Sequence, residues 1–222
     1  MVRNVFVLTG CPGAGKGTQA RLLSQRLEIP NISTGDTLRE IAASQTDLGQ
    51  RVATQMRSGA FVGDEIVNQA VVERIRRRDC QRGFVLDGYP RRVSQARFLG
   101  AVLHSNDRVM VLDISVARSE IIRRITNRRV CGSCGTIYNL FNAIPKHPNT
   151  CDLCMSKLFQ RDDDRRDIVH ERIRIYRKQT EPLIEYYRSQ GMYWKINGDA
   201  SVAEVSEQVA RTISEIVAPA IS

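Results

Sequence analysis

The chain has 222 residues, 42% of them apolar, and a formal charge of +9. That length suits one main domain carrying insertions better than two independent units, and the apolar fraction is enough for a sizeable core. No run of about 18 apolar residues occurs, which excludes a transmembrane helix.

In chain order, residues 5–8 read as a buried strand that passes straight into a glycine-rich loop. A secretory signal needs a longer apolar stretch and a small-residue cleavage site, so the expected compartment is the cytoplasm. A helix is predicted over 16–27 and another over 64–78. Residues 84–86 read as a strand, 94–103 as a helix, 109–112 as a strand and 116–127 as a helix. A long helix follows over 167–188, then a strand over 193–196 and a helix over 202–217. Alternating strands and helices imply a doubly wound α/β domain with a parallel sheet. From about residue 130 to 160 the helical period is lost, and four cysteines with Pro145 and Pro148 take its place. A stretch that long without an element of its own is functional or separately stapled.

The positive charge admits nucleic acid, a membrane surface or a small polyanion as partner. Arginines are scattered in pairs such as Arg91-Arg92, Arg123-Arg124, Arg128-Arg129 and Arg165-Arg166, with no polybasic tail. This spread favours a small phosphate-bearing ligand, because the planar guanidinium matches phosphate oxygens. Stretches such as Arg76-Arg77-Arg78 are expected to be solvated helix faces.

Gly10-Cys11-Pro12-Gly13-Ala14-Gly15-Lys16-Gly17-Thr18 lies between a predicted strand and a predicted helix. Its glycines let successive N–H groups turn inward around phosphate oxygens, and the helix aims its positive end at the same anion. Lys16 would reach the β and γ phosphates. The general pattern places Ser or Thr directly after the lysine; here Gly17 intervenes before Thr18. Cys11 is expected to be a tolerated small residue, not a nucleophile.

Three further motifs follow in register. They are Ile32-Ser33-Thr34-Gly35-Asp36-Thr37-Leu38-Arg39, then Phe84-Val85-Leu86-Asp87-Gly88-Tyr89-Pro90-Arg91 with Gln95, and Arg161-Asp162-Asp163-Asp164 with Arg172. Together with the loop variant, they make the chain resemble the nucleoside monophosphate kinases of the long-lid adenylate kinase type, from about residue 5 to 213. The resemblance implies a five-stranded doubly wound P-loop kinase core over 1–32, 63–126 and 165–222. It also implies an AMP-binding helical insertion over 33–62 and a metal-bearing lid over 127–164.

For ATP it implies Gly13, Ala14, Gly15, Lys16, Gly17, Thr18, Arg124, Arg128, Ile137, Tyr138 and Ala200. For AMP it implies Thr34, Arg39, Ala60, Phe61, Val62, Gly88, Tyr89, Pro90, Arg91, Gln95, Arg161 and Arg172. Lys16, Arg91, Arg128, Arg161 and Arg172 would act on the transferring group, and Asp87 would hold magnesium through water. The bland reading of Asp87 is a helix cap. Four positions depart from the family pattern: Ala60 replaces a lysine some members carry, and Tyr89 a usual Phe. Arg92 replaces a usual Thr, and Asn139 a usual His.

Cys131, Cys134, Cys151 and Cys154 form two C-x₂-C knuckles separated by residues 135–150. The spacing matches a tetrahedral zinc site, closed by four ligands and therefore structural. Two disulfides or an iron site are the other readings of the same cysteines. His147 is not needed as a ligand, and Cys80 is expected to be buried and inert. The implied reaction is magnesium-dependent transfer from ATP to AMP, by a monomer without nucleic-acid or membrane partners. Another monophosphate acceptor, GMP or UMP, is the alternative within the enzyme class. A zinc-knuckle nucleic-acid module is the alternative outside it, but residues 130–158 carry only Lys146 and Lys157 as basic groups beyond the lid's edge.

Overall fold

The computed structural model describes residues 2–217; residue 1 and residues 218–222, at the two ends of the expected core, lie outside the described residues. Five parallel strands form the main sheet: β1 (Arg3–Thr9), β2 (Asn31–Ser33), β3 (Gly83–Asp87), β4 (Asp107–Ser115) and β8 (Tyr193–Asn197). Their spatial order is β2-β3-β1-β4-β8. Between β4 and β8 a second, antiparallel sheet is inserted, made of β5 (Arg128–Cys131), β6 (Ile137–Asn139) and β7 (Leu158–Phe159) in the order β6-β5-β7.

The core follows from the two-residue period of a strand covered on both faces. Val5 and Val7 of β1 point to one side of the sheet, with Phe84 and Leu86 of β3. There they meet α2 (Thr34–Ala43), α3 (Asp47–Arg57), α4 (Asp64–Ile75), α5 (Val93–Val102) and α8 (Pro182–Arg188). Phe6 and Leu8 point to the other side, with Val85 and Met110. They pack on α1 (Lys16–Leu27) and α9 (Val202–Val217). A smaller apolar cluster joins α6 (Arg118–Thr126) to α7 (Arg166–Ile175) through Ile121, Ile125, Val169 and Ile173.

The strands expected from apolar runs are present, and the fifth strand implied by resemblance is β2. Its three residues carry one buried apolar side chain, Ile32, too little to show a period. The helix expected over 64–78 ends at Ile75, and a 3₁₀ turn, Arg78–Cys80, follows. Those expected over 94–103 and 116–127 are α5 and α6, one or two residues different at their ends. The helix expected over 167–188 is not regular. A π-helical segment, Tyr176–Thr180, separates α7 from α8, and the Glu181 N–H donates to the Tyr176 carbonyl. Pro182 opens α8; lacking an N–H, it cannot continue α-helical bonding into the preceding turn. Among the described residues no helix is long and apolar enough to cross a membrane.

Candidate active site

Chains of this topology bind ligands beyond the carboxyl ends of their strands, where the connections leave in opposite directions. Here that point is the end of β1, flanked by β3 and β4. The phosphate loop leaves it with Gly10 at φ 134°, packed so closely that a Cβ would lie 2.5 Å from the Ile114 carbonyl oxygen. Gly13, at φ 85°, would drive a Cβ to 2.4 Å from the Ile125 side chain. Only glycine allows either turn. Gly15 caps α1 with no side-chain cap bond, leaving the first N–H groups of α1 open to an anion.

Lys16 opens α1, and its ammonium donates to the carbonyls of Gly10 (2.8 Å) and Cys11 (3.0 Å) across the loop. Burial pushes its pKa down to about 8, against the pull of Asp87. Asp87 ends β3 and faces the start of α1; a Cβ at Gly17 would lie 3.1 Å from its carboxylate. Burial raises the Asp87 carboxyl above its ordinary range, with Lys16 and Arg91 opposing. Gly13, Ala14, Gly15, Gly17 and Thr18 thus sit in the loop and first turn around Lys16.

Next to this loop lies a second pocket. Thr34, Arg39, Ala60, Phe61, Val62, Gly88, Arg91, Gln95 and Arg172 line it together, as do Leu38, Met56, Gly59, Val67 and Asp163. Of this second group, Met56, Gly59 and Val67 were not singled out from sequence: apolar side chains and a lone glycine look alike in a core and in a pocket wall. Thr34 donates its hydroxyl to the Gly88 carbonyl (3.1 Å), which fastens the start of α2 to the end of β3. Arg91 donates through Nε to the same carbonyl (2.8 Å) and lies over the Phe61 ring at 5.0 Å. Tyr89 does not line the pocket; it is fully buried and donates its hydroxyl to Asn68 Oδ1 (2.7 Å). Pro90, also buried, follows it.

Five arginines, on three elements and two connections, gather beside the pocket and the phosphate loop. Arg39 pairs with Asp36, and Arg161 lies 3.9 Å from the same carboxylate. Asp164, fully buried, pairs with Arg128 and also accepts from Arg172 at 3.1 Å. Arg172 reaches Asp163 at 3.0 Å. Burial opposes the charge on Arg128, but the Asp164 hydrogen bonds outweigh it and hold that guanidinium above its ordinary value. Arg91 is drawn down to about 10 by burial and then by Arg172. Arg161 is drawn down to about 10 by burial and then by Arg128. Asp163 is held below the usual carboxylate range; burial raises it, but Arg172, Arg128 and Arg161 prevail. Cations that depress one another in a partly dry site make a strong field for a polyanion.

The remaining expected ATP residues lie apart from this cluster. Arg124 donates to Glu120 (2.8 Å) and to the Gly198 carbonyl (3.0 Å), joining α6 to the loop after β8. Ala200 packs in that loop against the core. Ile137 is half-buried on β6. Tyr138 is buried with Cys131, Cys151 and Leu158, and its hydroxyl accepts from the Asp152 N–H at 2.7 Å. Its ring therefore belongs to the lid's own small core. Asn139 donates to the Arg124 carbonyl at 2.9 Å, tying lid to α6.

The sulfur atoms of Cys131, Cys134, Cys151 and Cys154 all lie within 4.8 Å of one another. No disulfide joins them. The separations of Cys131 from Cys154 (3.3 Å) and of Cys134 from Cys151 (3.5 Å) are close to the roughly 3.8 Å of a tetrahedron with metal–sulfur bonds of about 2.3 Å. The residues fit a metal ion bound by four thiolates. His147 is exposed and outside the cluster, and Cys80 is fully buried.

The adenylate kinase family model matches residues 8–192. An adenylate kinase of Archaeoglobus fulgidus is 42% identical over 213 residues, covering 95% of this chain and 98% of its own. One of Thermosipho africanus is 42% identical over 94% of this chain and 98% of its own. One of a Thermoanaerobacter species is 44% identical over 94% and 97%. With a phosphate loop, an adjoining arginine-lined pocket and relatives matched nearly end to end, the chain belongs to the adenylate kinase family.

Proposed function

We propose that the chain catalyses reversible phosphoryl transfer from ATP to AMP, giving two molecules of ADP and balancing the adenine nucleotides. The observation that carries this reading is the adjacency of the phosphate loop to a pocket lined by arginines, with Arg91 and Arg172 acting on Lys16 across the gap. ATP would sit with its phosphates in the Gly13–Thr18 loop and its base toward Arg124, Ile137, Tyr138 and Ala200. AMP would occupy the pocket of Thr34, Arg39, Ala60, Phe61, Val62, Gly88, Arg91 and Gln95, with Tyr89 and Pro90 between Gly88 and Arg91 in the chain. An AMP phosphate oxygen, already ionised at neutral pH, attacks the γ-phosphorus, the bond to the β-phosphate oxygen breaks, and ADP leaves. No general base is required. Catalysis is then positioning and charge stabilisation by Lys16, Arg91, Arg128, Arg161 and Arg172.

Asp87 would hold magnesium through water, and the bound ion would neutralise part of the triphosphate charge. The four cysteines would hold zinc as a structural ion, because a closed set of four protein ligands leaves no open position for substrate. By this reading the core spans 1–32, 63–126 and 165–222, the AMP-binding insertion 33–62, and the lid 127–164. The lid would close over the phosphates and exclude water, which suppresses ATP hydrolysis. The working unit is a cytoplasmic monomer that needs neither nucleic acid nor membrane.

The test is a coupled assay of ADP formed from ATP with AMP, GMP or UMP in turn. AMP is expected to be the preferred acceptor, and strong UMP or GMP activity beside weak AMP activity would overturn the choice. Arg91→Ala is expected to lower turnover by roughly 10³-fold or more, the scale of a transition-state arginine, with folding retained. Near-normal turnover would refute its role.

A further inference from the structure

We propose that Asp64 is a positioning residue for acceptor choice, fixing which end of the Gln95 carboxamide donates and which accepts. The inference rests on the reading of Gln95 as the residue that meets the acceptor base. A carboxamide is nearly symmetric in shape, so its oxygen and nitrogen ends exchange by a half-turn with little steric cost. What decides between the two orientations is the chemistry of the partners. Gln95 is only 3% exposed, so those partners matter fully.

One partner is the Arg91 backbone N–H, which can only donate, 2.7 Å from Gln95 Oε1. The other is the Asp64 carboxylate, which can only accept, 2.9 Å from Gln95 Nε2. Turning the amide over would set N–H against N–H and oxygen against carboxylate, losing both bonds in a buried place. Asp64 is itself immobilised. Its Oδ1 also accepts from Arg92 (2.7 Å) and its Oδ2 from the Ser94 hydroxyl (2.6 Å). Arg92 is anchored in turn on Gln179 Oε1 at 2.7 Å and lies over the Phe61 ring.

With these bonds made, Gln95 keeps one N–H on Nε2 and one lone pair on Oε1 for a ligand. An adenine edge offers an amino donor at position 6 and an acceptor at ring N1. A guanine edge offers an acceptor at position 6 and a donor at N1, the opposite order. An amide locked by Asp64 matches the first and opposes the second, leaving buried polar groups unmatched. An amide held by the Arg91 N–H alone has lost one of its two fixing bonds and turns more readily to meet the second.

The experiment measures kcat/KM for AMP and for GMP, with ATP as donor, in the parent chain and in Asp64→Ala and Asp64→Asn. Asp64→Ala removes the acceptor and is expected to lower the AMP-to-GMP ratio by about tenfold or more, with the KM for ATP unchanged. Asp64→Asn keeps one oxygen that Gln95 can donate to and is expected to hold that ratio within about threefold. An unchanged ratio in Asp64→Ala overturns the proposal, as does an equal loss in both variants. Asp64→Ser, too short to reach Gln95 but well suited to the start of a helix, replaces Asp64→Ala if that chain does not fold, with the same expectation. Gln95→Leu separates the two levels. If it leaves the ratio intact, Gln95 does not read the base; if it collapses the ratio while Asp64→Ala does not, only the role of Asp64 fails.

Discussion

At Lys16, on the proposed reading, two demands meet: the ammonium has to be charged when phosphates arrive, yet the loop that positions it also dries it. Burial brings its pKa down to about 8, so a free site loses this charge as pH rises through that value. A bound triphosphate favours the charged form and restores the proton. Affinity for ATP is therefore expected to be full below about pH 8 and to fall above it, by up to tenfold per unit, with a proton taken up on binding at alkaline pH. Calorimetry at pH 8.5 or so in buffers of different ionisation enthalpy reads that proton directly; no uptake would show that Lys16 stays charged in the free site. Asp164 poses the converse case, a fully buried carboxylate held between Arg128 and Arg172. Asp164→Ala leaves buried arginine charge unpaired and is expected to cost about 3–5 kcal/mol of stability, read by denaturant unfolding.

Among the elements, the lid sheet contrasts with the main one. Strands β5, β6 and β7 enclose a small core of Cys131, Tyr138, Cys151 and Leu158, while Phe141, Ile144, Leu153 and Met155 stay exposed. So little buried area does not fold a segment by itself, and a metal held by the four thiolates, as proposed, would supply the missing free energy. Removal of the metal by a strong chelator is expected to lower the melting temperature while ATP still binds at the phosphate loop. A chelated sample that melts unchanged would show that the cysteines need no ion. The α7–α8 stretch carries a different lesson, since its π turn answers to Pro182 and was invisible to a periodic reading of 167–188.

Across the whole molecule, a formal charge of +9 adds a long-range attraction for polyanionic nucleotides to the local arginine field. Raising ionic strength from about 0.01 to 0.15 M shortens the screening length from roughly 30 to 8 Å. The expected result is a several-fold fall in kcat/KM for both nucleotides with kcat nearly constant, measured in steady-state assays across a salt series. A fall in kcat instead would place the salt effect in the closed complex.

Sequence alone determined those features whose causes are local. The glycines and lysine of the phosphate loop, the buried runs of β1, β3 and β4, and the two cysteine knuckles each announce themselves within a few residues. The structure brings nine of the twelve residues expected at the acceptor site onto one pocket wall and leaves Tyr89, Pro90 and Arg161 outside that lining. Strand β2 escaped because one apolar residue has no period. Only the tertiary structure decided the pairings made across distance: Asp164 with Arg128, Asn139 with the end of α6, and Asp64 with Gln95. These depend on how the sheet carries its connections to one edge. A carboxylate reads the same in sequence whether it caps a helix in water or sets the polarity of an amide inside a pocket.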